Sequence, residues 1–276
     1  MSTYLSVTID CLDDYQEILI AEMNELGFDS FQQTDTGFVT SWPEPNLDET
    51  TITGLLSRYK DSKASYKIAK EEKTNWNTEW EKNYDPIIID KRCIIRASFH
   101  IPKENYDIDI LINPKMSFGT GHHETTYLML KAQLEMDFSG LQVMDAGCGT
   151  AILSVMASKL GAKSIVAFDI DGWVIENAQE NVALNNCDNI EVLEGTIGKL
   201  RLKDSYDCIL ANINKNVLLD EMPLYRDKLK KGGKLLLSGF YQKDLADIES
   251  TAKSNNLTLS STLDRNEWTM VSFEKN

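Results

Sequence analysis

Polar and apolar residues alternate from Tyr4 to Ile9, the pattern of a half-buried strand. The spacing then changes, with Tyr15, Ile18, Leu19, Met23 and Leu26 recurring at helical intervals. This predicts a helix from about Asp13 to Leu26, stopped by Gly27. Two short strands, Phe28 to Gln33 and Gly37 to Trp42, flank a turn at Thr34 to Gly37, and Asp48 is placed to cap a second helix running to about Ser57. The β-α-β-β-α series predicts a small α+β domain over residues 1–60 with a core of its own. From about Ser62 to Tyr84 the chain is charged and helix-compatible, and Trp76, Trp80 and Tyr84 stand four apart on one face. Residues 61–85 are therefore expected to form an amphipathic linker helix, which Pro86 ends.

Beyond the linker, strands are expected at Ile87 to Ile89, Cys93 to Ala97 and Ile108 to Ile112. From Leu141 onward apolar runs at 141–144, 164–168, 190–193, 206–211 and 234–238 alternate with helical segments. Such alternation predicts an α/β fold over residues 86–276, its mostly parallel sheet covered on both faces. Two last runs, 257–262 and 268–273, have no helix between them and read as an antiparallel hairpin, giving seven strands in all. Ligands in sheets of this kind bind at the carboxyl ends of the strands, near the point where strand order reverses. Asp145, Asp169 and Asn212 fall at or just beyond those ends.

The chemistry concentrates at one strand-turn-helix unit, Val143-Met-Asp-Ala-Gly-Cys-Gly-Thr-Ala151, followed by Phe168-Asp-Ile-Asp171. Gly147 and Gly149 let the backbone turn tightly against a ligand. Asp169, about 20 positions on, is placed to accept hydrogen bonds from a ribose diol. A dinucleotide fingerprint would need a third glycine, where this chain has Ile152. The turn reads D-x-G-x-G-x-A instead, and this resembles the first motif of S-adenosylmethionine-dependent methyltransferases. With no pyrophosphate to cradle, an acidic group at Asp145 is acceptable near a cationic cofactor.

Composition narrows the setting. The net charge of −15 argues against a chain that grips nucleic acid through its phosphates. The five cysteines, at 11, 93, 148, 187 and 208, form no C-x-x-C pair, so neither a disulfide framework nor a zinc site is expected. No apolar run approaches the roughly 20 residues that span a bilayer, and Met1 to Ser6 carries no export signal. A cytoplasmic protein without membrane contact is expected, and a monomer.

A second run, Asn113-Pro-Lys-Met-Ser-Phe-Gly-Thr-Gly-His-His-Glu-Thr-Thr126, together with Leu210-Ala-Asn-Ile213, closely resembles the ribosomal protein L-eleven (L11) methyltransferase family, called PrmA. The likeness covers nearly the whole chain, including Asn75-Trp-Asn-Thr-Glu-Trp80 and Glu267-Trp268. It departs from the family pattern at Asn113 and Lys115, usually Asp and Gly, at Glu124, commonly Pro, and at Ala151, commonly Gly. The resemblance implies a Rossmann-like methyltransferase domain. It implies S-adenosylmethionine as cofactor and large-subunit ribosomal protein L11 as partner, methylated on lysines and on its N-terminal amine. Carried over residue by residue, it implies cofactor contacts at Phe118, Thr126, Gly147, Asp169 and Asn212.

Some roles stay open at the level of sequence. Asn212 is expected to orient the accepting amine, to hold the cofactor, or both. Phe118 reads equally as a partner of the sulfonium, whose charge favours an aromatic face, or as a plain core or lid aromatic. His122 and His123 lack a recognisable ligand set, and a structural or substrate-contacting role is expected rather than metal binding. Rival readings are a methyltransferase acting on another protein or on nucleic acid, and a cofactor-binding adaptor without catalysis. Against the nucleic-acid reading, Asn212-Ile-Asn-Lys-Asn216 lacks the prolines and aromatic such enzymes often carry after the fourth strand.

Overall fold

A computed structural model describes residues 4–43, 48–70, 84–103, 105–113, 115, 117–203 and 205–276. The chain divides into two compact units, Met1–Asn83 and Tyr84–Asn276. In the first, β1 (Tyr4–Asp10), β2 (Asp29–Thr34), β3 (Gly37–Pro43) and β4 (Ser65–Lys70) form one sheet in the order β2-β3-β1-β4. The helices α1 (Asp13–Glu25) and α2 (Glu49–Arg58) complete a β-α-β-β-α-β series. Val7, Ile9 and Phe38 from the sheet meet Leu19, Met23, Ile52 and Leu55 from the helices in a closed core. Gly27, at φ 94°, supplies the left-handed residue that ends α1, and Phe28 N–H returns to the Met23 carbonyl at 3.0 Å. Asp48 caps α2 as expected, accepting from Thr50 N–H at 2.9 Å. Hydrogen bonding from the Thr50 side chain, and from its backbone, holds the Asp48 carboxyl below its usual range.

The linker helix expected over residues 61–85 does not begin where the sequence placed it. Ser65–Lys70 is a strand, antiparallel to β1 with Ile68 opposite Val7 and Tyr66 opposite Ile9. The physical reason is the short alternation Tyr66, Ile68, which puts two apolar side chains on the core side of the open edge of β1. Charged neighbours such as Lys67 mask that alternation in a helix-compatible composition, and the first unit reaches past residue 60. Trp76 and Trp80 lie outside the described residues. Tyr84 belongs to the second unit, its ring 4.6 Å from that of His122.

The second unit opens with a small sheet of β5 (Ile87–Ile89), β6 (Cys93–Arg96) and β7 (Ile108–Leu111). Then come α3 (Glu124–Leu134), β8 (Gln142–Ala146), α4 (Ile152–Lys159), β9 (Ser164–Asp169), α5 (Gly172–Leu184) and β10 (Ile190–Glu194). They are followed by β11 (Tyr206–Asn212), α6 (Lys215–Lys228), β12 (Leu229–Tyr241), α7 (Leu245–Ser254), β13 (Leu257–Arg265) and β14 (Trp268–Lys275). The seven strands run in the order β10-β9-β8-β11-β12-β14-β13, with β14 antiparallel to both of its neighbours and the other pairs parallel. The expected terminal hairpin is β13 and β14. One face of the sheet packs against α3, α4 and the small sheet through Leu128, Met129, Val155, Met156 and Ile110. The other packs against α6 and α7 through Leu218, Met222, Tyr225 and Ile248.

Because the chain leaves β8 toward β9 on one side and later places β11 on the other, a crevice opens at their carboxyl ends. A ladder of amides fixes the chain at the end of β7. Asn185 exchanges bonds of 2.9 and 2.7 Å with the Leu111 backbone, and Asn181 accepts from Asn113 N–H at 3.1 Å while donating to the Thr150 carbonyl at 3.2 Å. Asn113, where the family usually has Asp, accepts from Ser98 N–H at 2.9 Å through its side-chain oxygen, a bond either residue can make.

Candidate functional site

Two backbone segments are pressed together at the mouth of the crevice, and glycines make the fit possible. Gly149, at φ 54°, sits where a Cβ would lie 2.4 Å from the Phe118 carbonyl oxygen, and the neighbouring Thr150 N–H donates to that oxygen at 3.0 Å. Gly147, at φ 68°, leaves room for the Ile213 side chain, 2.3 Å from where its Cβ would stand. Gly149→Ala is therefore expected to destabilise the fold by about 1–3 kcal/mol, from left-handed strain and a forced shift of the Phe118 peptide. Denaturant unfolding of the variant checks this. Ala151 holds φ 62° without being glycine, which gives the family's usual glycine at this position a physical reason.

The crevice encloses a cavity of about 440 Å³. Four of the five expected cofactor residues, Phe118, Gly147, Asp169 and Asn212, line it together. Asp169 ends β9 and accepts from Gly149 N–H at 3.1 Å and from Ile170 N–H at 2.7 Å. Each oxygen keeps a further lone pair for a ligand hydroxyl. Thr126, the fifth, is fully buried, and its neighbour Thr125 lines the cavity instead. The Thr126 hydroxyl receives a hydrogen bond from Asn212 Nδ2 at 3.4 Å. With the amide nitrogen so engaged, Asn212 Oδ1 is left buried and without a partner among the described residues. A bare acceptor in such a place costs free energy unless a ligand satisfies it.

An aromatic wall flanks Asn212. His123 lies 5.1 Å from Phe118 and 4.7 Å from Trp268, ring to ring, and Trp268 stacks on Tyr241 at 4.1 Å. His123 also caps α3, its Nδ1 accepting from Thr125 N–H at 3.3 Å. The wall is latched to the terminal hairpin by Glu124, which takes a hydrogen bond from Asn266 at 2.5 Å and an ion pair from Arg265 at 3.2 Å. His122 is turned toward Tyr84 instead. Among the described residues no group of three His, Cys, Asp or Glu side chains is gathered to hold a metal ion.

Asp145 does not reach the cavity. It is fully buried, with Oδ2 accepting from the Ser154 hydroxyl at 2.6 Å. Burial pushes its carboxyl up to about 7, against the pull of Ser154 and with a small push from Asp169. An acid raised in the folded state lends stability that is complete below its unfolded value of 3.8 and lost as pH rises through about 7. The stability of wild type relative to Asp145→Asn is thus expected to fall across that window, with a slope of up to about 1.4 kcal/mol per pH unit. Urea unfolding at pH 5 and pH 8 measures it, and parallel curves for the two proteins would refute it. Burial also drives the Cys148 thiol well above its usual range, with Asp145 and Asp169 adding to the effect, so it stays an inert thiol at the turn.

Several lining residues escaped the sequence reading. Ile170, Gly195 and Thr196 follow strand ends, and only the strand order reveals that they converge. Val217 and Glu221 lie four apart on α6, a spacing that marks any helix face. Gly239, at φ 97°, would carry a Cβ 2.1 Å from the Ile213 carbonyl oxygen, and its need for glycine is visible only once β12 is paired.

A family description, ribosomal protein L11 methyltransferase (PrmA), matches residues 5–276. A protein of Porphyromonas gingivalis named ribosomal protein L11 methyltransferase is 43% identical over 265 residues, which are 95% of this chain and 91% of that protein. A Bacteroides thetaiotaomicron protein of the same name is 39% identical over 271 residues, 96% of each chain. Among solved structures, the ribosomal protein L11 methylase of Lactobacillus delbrueckii subsp. bulgaricus superposes with a TM-score of 0.63 at 28% identity, covering 70% of this chain and all of that one.

Proposed function

The chain belongs to the ribosomal protein L11 methyltransferase (PrmA) family, and from that premise we propose that it methylates lysine side chains and the N-terminal amine of ribosomal protein L11, with Asn212 aiming the accepting nitrogen. It is an S-adenosylmethionine-dependent enzyme. The observation that carries the assignment of Asn212 is its unsatisfied Oδ1, held toward a ligand because Thr126 occupies the other end of the amide.

The residues present fit the cofactor. Glycines at 147 and 149 thin the wall of the cavity, Asp169 offers acceptors for a ribose diol, and the aromatic faces of Phe118, His123 and Trp268 suit a sulfonium and an approaching amine. Bound S-adenosylmethionine supplies a methyl group already activated for displacement, so the protein contributes chiefly orientation and surroundings. A lysine amine, with a reference pKa of about 10.4, has to be neutral to attack. The largely apolar cavity disfavours the ammonium form and so exposes the lone pair. Asn212 Oδ1 then accepts an N–H bond from the amine and points that lone pair along the line of displacement.

Asp169→Ala is expected to weaken cofactor binding by roughly 1.5–3 kcal/mol, the worth of hydrogen bonds to a charged acceptor. Calorimetric titration of the variant tests the placement of the ribose, and unchanged affinity would remove Asp169 from the site. Among the described residues no helix is long and apolar enough to cross a membrane.

A further inference from the structure

Glu221 is an acid that the reaction as described leaves unused, yet it lines the cavity. It shares the lining face of α6 with Val217, one turn away. One of its oxygens, Oε2, takes a hydrogen bond from Tyr225 at 2.5 Å, while Oε1 has no hydrogen-bond partner among the described residues. Tyr225 is fully buried, and burial together with the charge of Glu221 drives its hydroxyl well above the usual range, so it remains a donor and anchors the carboxylate. A carboxylate fixed in this way presents a single acceptor to whatever N–H group enters the recess.

The two candidate donors are the exocyclic amine of the cofactor's base and the amine of the substrate, and the sheet separates them. With the ribose at Asp169 on β9 and the sulfonium toward Asn212 on β11, the base extends the other way, toward β10 and Gly195–Thr196. The residue after Thr196, Ile197, packs with Phe168 from β9 and with Leu218 and Met222 of α6 in one core, on the face of the sheet where Glu221 lies. Trp268, in the aromatic wall at the amine end, packs against the core on the opposite face. We propose that Glu221 Oε1 accepts a hydrogen bond from the exocyclic amino group of the adenine and so selects the base of the cofactor. This rests on the placement of the ribose at Asp169.

The test compares S-adenosylhomocysteine with S-inosylhomocysteine, whose carbonyl replaces the amino group, by calorimetry on the full chain. Wild type is expected to favour the adenine ligand by about 10- to 100-fold, since the carboxylate accepts from the amino group and repels the carbonyl. Glu221→Leu should lose most of that preference. In Glu221→Gln the side-chain amide can donate to the carbonyl, so the inosine ligand should gain affinity relative to wild type, and this variant decides the matter if the leucine variant does not fold. An unchanged preference in Glu221→Gln overturns the proposal. So does wild-type affinity for both ligands accompanied by a raised KM for the protein substrate, which would assign Glu221 to the amine. Asp169→Ala serves as the control: it should weaken both ligands equally, and if it weakens neither, the ribose placement fails while the two Glu221 variants still report on the base.

Discussion

Asn212→Ala is expected to transfer methyl groups about 100-fold more slowly in a single turnover at saturating S-adenosylmethionine, a loss larger than any change in cofactor affinity explains. Asn212 ends β11 at the reversal of strand order, with its amide nitrogen committed to Thr126 and its oxygen buried and bare. Leaving such an acceptor unmade costs roughly 1–3 kcal/mol, and because Asn212 lines the cavity a ligand can satisfy it there. Alanine removes the acceptor while leaving the glycine turn and Asp169 untouched. Rapid-quench measurement of one turnover separates the two roles. Restoration of the full rate by saturating cofactor would reduce Asn212 to a cofactor contact.

The second large effect is expected from removal of the first unit. A chain starting at Tyr84 should keep its affinity for S-adenosylmethionine and lose methylation of intact ribosomal protein L11 at ordinary concentrations. The described residues that line the cavity all lie between Phe118 and Trp268, in a unit with extensive cores on both faces of its sheet. The first unit closes a core of its own around Val7, Leu19 and Phe38, and none of its described residues lines the cavity. We propose that it presents the protein substrate. Several amines of one partner need several approaches to one site, which a separately folded recognition unit permits. Calorimetry and intact-protein mass spectrometry on the truncated chain check both halves. Wild-type methylation by the truncated chain would contradict this division of labour.

How much of this was legible in the sequence depends on the range of the interaction involved. Asp48, Gly27 and the strands of the second unit were readable because caps, stops and apolar runs are local signals. The glycine turn and Asp169 were readable for a related reason: a tight turn and a following strand end keep their spacing. β4 was misread as helix because its two inward residues, Tyr66 and Ile68, gain their meaning from the distant edge of β1. Thr126 was expected to meet the cofactor, and its place behind Asn212 depends on a contact 86 positions away in the chain. The place of Glu124 shows only once the terminal hairpin brings Arg265 and Asn266 to it. Glu221 sits mid-helix with no local mark, and only the folded cavity, whose lining it shares with Gly195 and Thr196, shows what it faces.

The most direct test of the central claim is intact-mass analysis of ribosomal protein L11 after incubation with this protein and S-adenosylmethionine, followed by fragmentation to locate the modified residues. The predicted result is a series of increments of one methyl group each, placed on lysine side chains and on the N-terminal amine, and absent when the cofactor is omitted. An unmodified ribosomal protein in the presence of enzyme that demonstrably binds the cofactor would contradict it.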